Sequence, residues 1–379
     1  MTKKRILIIS KSFYPRNSPR AFRTTELVKE FGREGHEVTL LTVKRDKYHI
    51  PFEKKYGVTI RNLGPLQLPE INLTNSTGIS RLIKRGVRRG LLQLFEYPNI
   101  ELMFKVKNAL KKESGYDLLI SIAVPHPIHW GVAWAWKMNN PIAHTWAADC
   151  GDPYMWQTLD SFNKMFYFKY FEKSFCRKAN FITVPIEEAR KGYYPEFRDK
   201  VRVIPQGFNF GEIEIDHSSF SSNTVPTFAY AGGFIPGGRD PREFLDYLVQ
   251  IEQPYKFIIF TRSKDLVKPY LERANGKIEI HDYIPRKELL RRLSKMDFLV
   301  NFENRSNLMM PSKLIDYYLA GRPVLNIPSK GINKYTINQF LVANYRNKYN
   351  YNGVDRYRIE NVCDQFLSLC EEIQVANES

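Results

Sequence analysis

The sequence predicts an α/β protein made of two doubly wound, Rossmann-like domains, and three observations carry this. Short, continuously apolar runs alternate with helical patterns, the mark of parallel strands covered on both faces. The series of runs occurs twice, and a polar, Ser-rich stretch from Asp216 to Asn223 lies between the two. A chain of 379 residues also exceeds one ordinary core, so two domains are expected on size alone. The first domain is read as residues 1–208, completed by a terminal helix over 356–375 that crosses back to it, and the second as residues 209–355.

Taken in order, the first series of strands is Ile6–Ile9, Val38–Val43, Val58–Ile60, Leu118–Ile122, Pro141–His144, Phe181–Val184 and Val201–Ile204. The second is Thr227–Ala231, Phe257–Phe260, Ile278–Ile280, Phe298–Val300 and Val324–Ile327. Ile359, Val362, Phe366, Leu369 and Ile373 recur at helical spacing and predict the terminal helix. One segment breaks the rhythm. From Ser80 to Phe95 basic and apolar residues alternate at helical spacing, as in helices that lie in an anionic membrane interface; the bland alternative is a solvated basic face, and Gly86 and Gly90 weaken the helix.

Formal net charge is +17, which calls for an anionic partner: nucleic acid, an anionic membrane or a phosphorylated substrate. No RNP-like, KH or zinc module is present, so nucleic acid is not expected. Cys150, Cys176, Cys363 and Cys370 show no CxxC spacing and suit reduced thiols of a cytoplasmic protein. The apolar run Ile6–Ile9 is too short for a signal peptide, and no run reaches the roughly 20 apolar residues of a membrane span. No DxD, HxxxH or HExxH pattern argues for a metal, and no GxSxG or cysteine arrangement for a nucleophile.

Two stretches look built for anions. In Met310 to Val324 a short helix is bounded by Ser312 as its cap and by Gly321 and Pro323 at its end; Leu314, Ile315, Tyr318 and Leu319 share one face, which leaves Ser312, Lys313 and Asp316 on the other. A lysine at the positive end of a helix is sensible if an anion sits there; otherwise Lys313 and Asp316 form a surface pair. In Tyr230 to Glu243 a strand runs into a loop with Gly232, Gly233, Gly237 and Gly238, then into a helix signalled by Asp240 as N-cap, Pro241 and Glu243 as a capping box, with Arg239 just before it. The loop is not GxGxxG and the first strand is followed by no glycine, which disfavours a dinucleotide enzyme.

In the first domain, Asn17, Arg20 and Arg23 open the helix after the first strand, at the carboxyl end of the sheet where open α/β folds bind ligands. Loops after later strands carry His126, Asp149 and Asp152, groups able to titrate or to accept a hydroxyl proton, or simply to cap a turn.

Together these stretches resemble the GT-B glycosyltransferases of family four, in the variant with Pro311-Ser312-Lys313. The resemblance covers Phe13-Tyr14-Pro15, Gly35-His36-Glu37-Val38, Val203 to Asn209, the glycine loop, Asp282-Tyr283-Ile284-Pro285 and Pro311 to Val324. It implies two Rossmann-like domains facing a cleft and a nucleotide-diphosphate sugar held on the second domain by Gly232, Gly233, Arg239, Tyr283, Ser312, Lys313 and Asp316. Arg239 stands where the lysine of the family's Arg-x5-Lys pair belongs, and Asp316 at the second acidic position of its E-x7-E motif, on the ribose hydroxyls. Gly233 and Leu308 occupy the other two motif positions, and Lys313 supplies the missing charge. His126 and Asp149 fall near the transferred sugar as catalytic candidates; Asn17, Arg20 and Asp152 fall on the acceptor or phosphate side.

The implied reaction is metal-independent transfer, with retention, from a nucleotide sugar used as substrate, no cofactor being required. The implied acceptor is a lipid-linked saccharide or polysaccharide of a bacterial surface polymer, reached by a cytoplasmic enzyme peripheral to the membrane's inner face. A nucleotide-sugar epimerase of the same fold, or a non-catalytic protein that binds RNA or anionic membrane, are the competing readings.

Overall fold

The computed structural model describes residues 2–72, 77–156, 164–211, 223–303 and 312–378. It divides into two compact units, Met1–Asn209 with Asp355–Ser379, and Phe210–Val354.

The first unit holds a seven-stranded parallel sheet: β1 (Arg5–Ser10), β2 (Glu37–Thr42), β3 (Thr59–Asn62), β4 (Tyr116–Ile122), β5 (Ala143–Asp149), β6 (Phe181–Val184) and β7 (Val201–Val203), in the order β3-β2-β1-β4-β5-β6-β7. The strands are apolar on both faces because helices cover both, and Ile6, Leu7, Ile8 and Ile9 are all fully buried. The order reverses between β1 and β4, the point at whose carboxyl ends open α/β sheets bind ligands. The helix Pro19–Arg33 starts beside this point, with Ser18 accepting from the Ala21 amide at 3.3 Å.

The second unit repeats the plan with five parallel strands, β8 (Thr227–Ala231), β9 (Lys256–Phe260), β10 (Ile278–His281), β11 (Phe298–Phe302) and β12 (Val324–Ile327), ordered β10-β9-β8-β11-β12. Its reversal lies between β8 and β11. The glycine loop leaves β8, and the helix Ser312–Ala320 follows β11. The rings of Phe228, Phe257 and Phe298 stack at 4.7 and 4.5 Å in one core of the sheet, while Leu314, Tyr317 and Ala320 of that helix belong to the other.

The terminal helix Ile359–Glu378 belongs to the first unit: Ile359, Val362, Phe366 and Leu369 pack with Leu27, Phe31 and Ile120. The chain leaving that unit and the chain returning to it are tied by Phe208 N to Tyr357 O (2.8 Å) and Ile359 N to Phe208 O (2.9 Å). The Ser80–Phe95 segment forms the helix Gly78–Phe95 despite its glycines. Asp216 to Ser222, Leu308, Met310 and Pro311 lie outside the described residues.

Two sequence expectations are corrected. β5 starts at Ala143 and runs on to Asp149, so Asp149 ends a buried strand rather than sitting in a loop. The helix after the glycine loop begins at Arg242 with no side-chain cap, and Asp240 instead accepts from the Gly237 amide at 3.0 Å and the Arg242 amide at 3.2 Å. The Arg242 guanidinium beside it holds the Asp240 carboxyl below the ordinary range.

Candidate active site

In the second unit a cavity of about 360 Å³ opens at the switch point, lined by Gly232, Gly233, Arg262, Tyr283, Lys313 and Asp316 among others. Two tyrosines shape its glycine corner. Tyr317, fully buried, accepts from the Ala231 amide at 2.8 Å, and the Tyr230 hydroxyl donates to Gly233 O at 2.9 Å. Gly232 has φ +149°, and a Cβ there would meet the Tyr230 hydroxyl at 3.0 Å, so the bend requires glycine. Further along, the loop closes on itself through Gly238 N to Ile235 O and Ile235 N to Arg239 O, both 3.0 Å. Arg239 closes that turn, near enough for its charge to act on Lys313.

Lys313 reaches the end of β11, donating to Phe302 O at 3.2 Å, with its Nζ 4.9 Å over the Tyr230 ring. Burial, and secondarily the Arg239 charge, push its ammonium down to about 7. The Arg239 Nε is buried with no hydrogen-bond partner. Among the described residues neither cation is paired with a carboxylate, and the one carboxylate that lines the cavity, Asp316, is engaged by Arg286, so the two neighbouring positive charges are left uncompensated. Such an arrangement is costly unless an anion completes it.

Asp316 is not Lys313's partner, which corrects the surface-pair alternative. Its Oδ1 accepts from Arg286 Nε at 2.7 Å, a contact across 30 residues that the sequence did not suggest. Burial raises the Asp316 carboxyl, and Arg286 opposes the rise. Arg262 lies 4.9 Å from the Tyr283 ring centroid, so a flat cation and a half-exposed aromatic stand together at the cavity's edge. The described helix starts at Ser312, whose side chain lies outside the described positions, as does Leu308.

In the first unit the structure brings Arg20, His126, Asp149 and Asp152 to the carboxyl ends of β1, β4 and β5, with Asn17 exposed in the loop before the first helix. Asp149 is fully buried. Its carboxylate accepts from Arg23 Nε and Nη2, both at 2.7 Å, and from the Thr183 hydroxyl at 2.8 Å. Arg23 also donates to Pro205 O at 2.6 Å. This is an anchor, not a base with a free face, which corrects the catalytic expectation for Asp149. What it holds at the surface is Arg20, 3.5 Å away, whose guanidinium lies over Gly151 so closely that a Cβ there would fall 1.7 Å from Nη2.

His126 is buried with Nε2 unpartnered, and its ring packs 4.8 Å from that of Tyr154. Burial, with His129, Lys164 and Arg20 nearby, holds it well below the usual imidazole range, so it is neutral at pH 7. His129, fully buried, bonds Ser121 at 2.8 Å and is pushed down to about 3 by burial, which makes it a core group. All four cysteines are free and buried. Among the described residues no group of three or more His, Cys, Asp or Glu could hold a metal ion.

The chain thus holds two doubly wound units, the second with a cavity lined by Lys313 at the carboxyl ends of its strands. The sequence profile of Glycosyltransferase Family 4 matches residues 22–211, half of the chain, so this protein belongs to that family. It has the GT-B fold and is a glycosyltransferase. No curated protein sequence matches it. Among solved structures, a glycosyltransferase from Rickettsia africae ESF-5 is similar with TM-score 0.61 at 11% identity, covering 99% of each chain. The lipopolysaccharide outer core galactosyltransferase WaaB gives 0.56 at 9%, covering 97% of this chain and 99% of that one. A point mutant of TarM from S. aureus, in complex with UDP among other ligands, gives 0.56 at 12%, covering 97% of this chain and 100% of that one.

Proposed function

We propose that the protein transfers a sugar, with retention, from a nucleotide-diphosphate sugar held on the second unit to a lipid-linked saccharide or polysaccharide of a bacterial surface polymer, at an anionic membrane surface. The observation that carries the donor half is Lys313, a cation that lines the cavity with no carboxylate partner among the described residues, and that the nearby Arg239 charge disfavours further. A diphosphate there gains both charges and the start of the helix Ser312–Ala320. Asp316, set by Arg286, takes the ribose hydroxyls, and Tyr283 with Arg262 covers the base.

The acceptor oxygen bonds to the anomeric carbon as the bond from that carbon to the diphosphate oxygen breaks, and the acceptor proton leaves with the diphosphate. Negative charge grows on the leaving group, where preorganised cations contribute most. These side chains fill the part a divalent cation plays elsewhere, which makes the reaction metal-independent in this reading. On the first unit, Arg20 faces an acceptor phosphate or sugar, and neutral His126 offers its unpartnered Nε2 to a hydroxyl. WaaB acts on lipopolysaccharide core by its name, which supports a glycolipid acceptor by analogy of fold alone.

A thermal-shift screen across nucleoside diphosphates and their sugars tests the donor half. A ligand at about 100 times its Kd stabilises by about 2.7 kcal/mol. No shift with any nucleotide sinks the reading, and an epimerised sugar nucleotide as product replaces it with the epimerase.

A further inference from the structure

The helix Gly78–Phe95 has no buried residue. At 100° per residue, Ile79, Leu82, Ile83, Val87 and Leu94 fall on one face, with Gly86 and Gly90 in its centre. Ile79, Leu82 and Ile83 are 76%, 66% and 61% exposed, so this face is open to solvent. The glycines agree, because a Cβ built at either meets nothing within 4 Å. They are not there for close packing in this chain.

The opposite face carries Arg81, Lys84, Arg85, Arg88 and Arg89, and no acidic residue occurs between Thr77 and Phe95. No helix of the described residues is long and apolar enough to cross a membrane. An eighteen-residue helix with one apolar and one cationic face fits one environment, the boundary between headgroups and acyl chains of an anionic bilayer.

The far end of the helix is fixed. Glu96, in the left-handed region at φ 52°, is buried and accepts from the Tyr154 hydroxyl at 2.8 Å and from Lys164 at 2.5 Å. The Tyr167 hydroxyl donates to Leu94 O. Tyr154 is the residue whose ring packs on His126. The helix therefore ends one side chain away from the acceptor-side histidine.

We infer that Gly78–Phe95 is an in-plane anchor for anionic phospholipid, inserting Ile79, Leu82, Ile83 and Val87 among the acyl chains while the five bases take the headgroup phosphates. Its tether at Glu96 holds His126 at a fixed place relative to the lipid surface, which suits an acceptor embedded in the same leaflet. The inference deepens the lipid-linked acceptor reading and rests on it only for that last step.

The test is flotation of the full-length protein with phosphatidylcholine vesicles, with and without half phosphatidylglycerol, beside the nucleotide thermal shift. Wild type should float with the anionic vesicles and at least tenfold less with neutral ones. Each base near the surface is worth about fivefold, so Arg81/Lys84/Arg85/Arg88→Ser should weaken binding about 100-fold or more. Leu82→Asp with Ile83→Asp should abolish flotation and leave melting and nucleotide shift unchanged, since neither side chain is buried. Gly86→Ala with Gly90→Ala should bind at least as well as wild type. Wild type staying in the soluble fraction overturns the anchor, as does undiminished flotation of the double aspartate variant, which would make the contact purely electrostatic. Lost flotation with an intact nucleotide shift refutes the anchor alone; flotation without any nucleotide shift refutes the donor reading alone.

Discussion

Replacing Lys313 by methionine removes the lysine cation that lines the cavity and keeps the stem's volume. At about 4 Å from a phosphate oxygen, and at the effective dielectric of about 20 suited to such sites, one unit charge is worth about 4 kcal/mol. Loss of the shared Phe302 carbonyl contact and the remaining Arg239 reduce this to about 2–4 kcal/mol, or a roughly 30- to 1000-fold weaker Kd for the nucleoside diphosphate. The pH dependence is a sharper signature. Lys313 loses its proton near 7 in the free protein, and a bound diphosphate draws its pKa back up, so binding takes up a proton above pH 7. Calorimetry should show the Kd rising by up to about tenfold per pH unit from 7 upward. Lys313→Arg should flatten that slope. The unliganded protein should respond in the opposite sense. The folded pKa lies below the ordinary lysine value, so the destabilisation is fully present below pH 7 and is relieved as pH rises from 7 toward 10.5. Lys313→Met should therefore stabilise the free protein at pH 6.5 by about 2 kcal/mol after allowance for solvent, or about 4–8 °C in Tm. A Kd within threefold of wild type, or one indifferent to pH, would mean that no phosphate sits against Lys313.

Three further outcomes concern the first unit. Asp149→Ala strands the buried Arg23 guanidinium and should cost about 3–5 kcal/mol, seen as a fall of about 10 °C in Tm, with the nucleotide shift retained; full stability with lost turnover would return Asp149 to catalysis. Gly151→Ala displaces Arg20 and should lower transfer at least tenfold at unchanged donor affinity, measured by steady-state kinetics. Burial holds the His126 imidazole below its ordinary range, so the pH profile of transfer should contain no inflection near the ordinary histidine value that disappears in His126→Gln.

The strands were legible because a parallel sheet covered on both faces demands uninterrupted apolar runs, and β1, β4 and β8 show this plainly. The terminal helix was legible from its 3.6-residue period. β5 hides from a sequence reading because Thr145 and Asp149 interrupt its apolar run, and only Arg23, 126 positions away, and Thr183 explain a buried aspartate there. The glycine loop and Lys313 announce themselves through spacing, yet the residues that shape their cavity do not. Tyr230 and Tyr317 read as ordinary aromatics, and the pattern points Tyr318 inward rather than Tyr317. Arg286 sits in a helix rich in bases, and nothing local marks it as the partner of Asp316. Local patterns reveal elements, whereas pairings across 30 or more residues arise only once the sheet is assembled.

Sugar transfer is driven, in this reading, from the cavity that Lys313 lines beside Arg239. Its most direct test incubates the protein with a panel of sugar-labelled nucleotide sugars and a bacterial lipid extract, following both label and nucleotide. Label should move into the lipid phase with one nucleoside diphosphate released per sugar, and Lys313→Met with Arg239→Ala should abolish this. Label remaining on an epimerised sugar nucleotide, or equal transfer by the double variant, would contradict it.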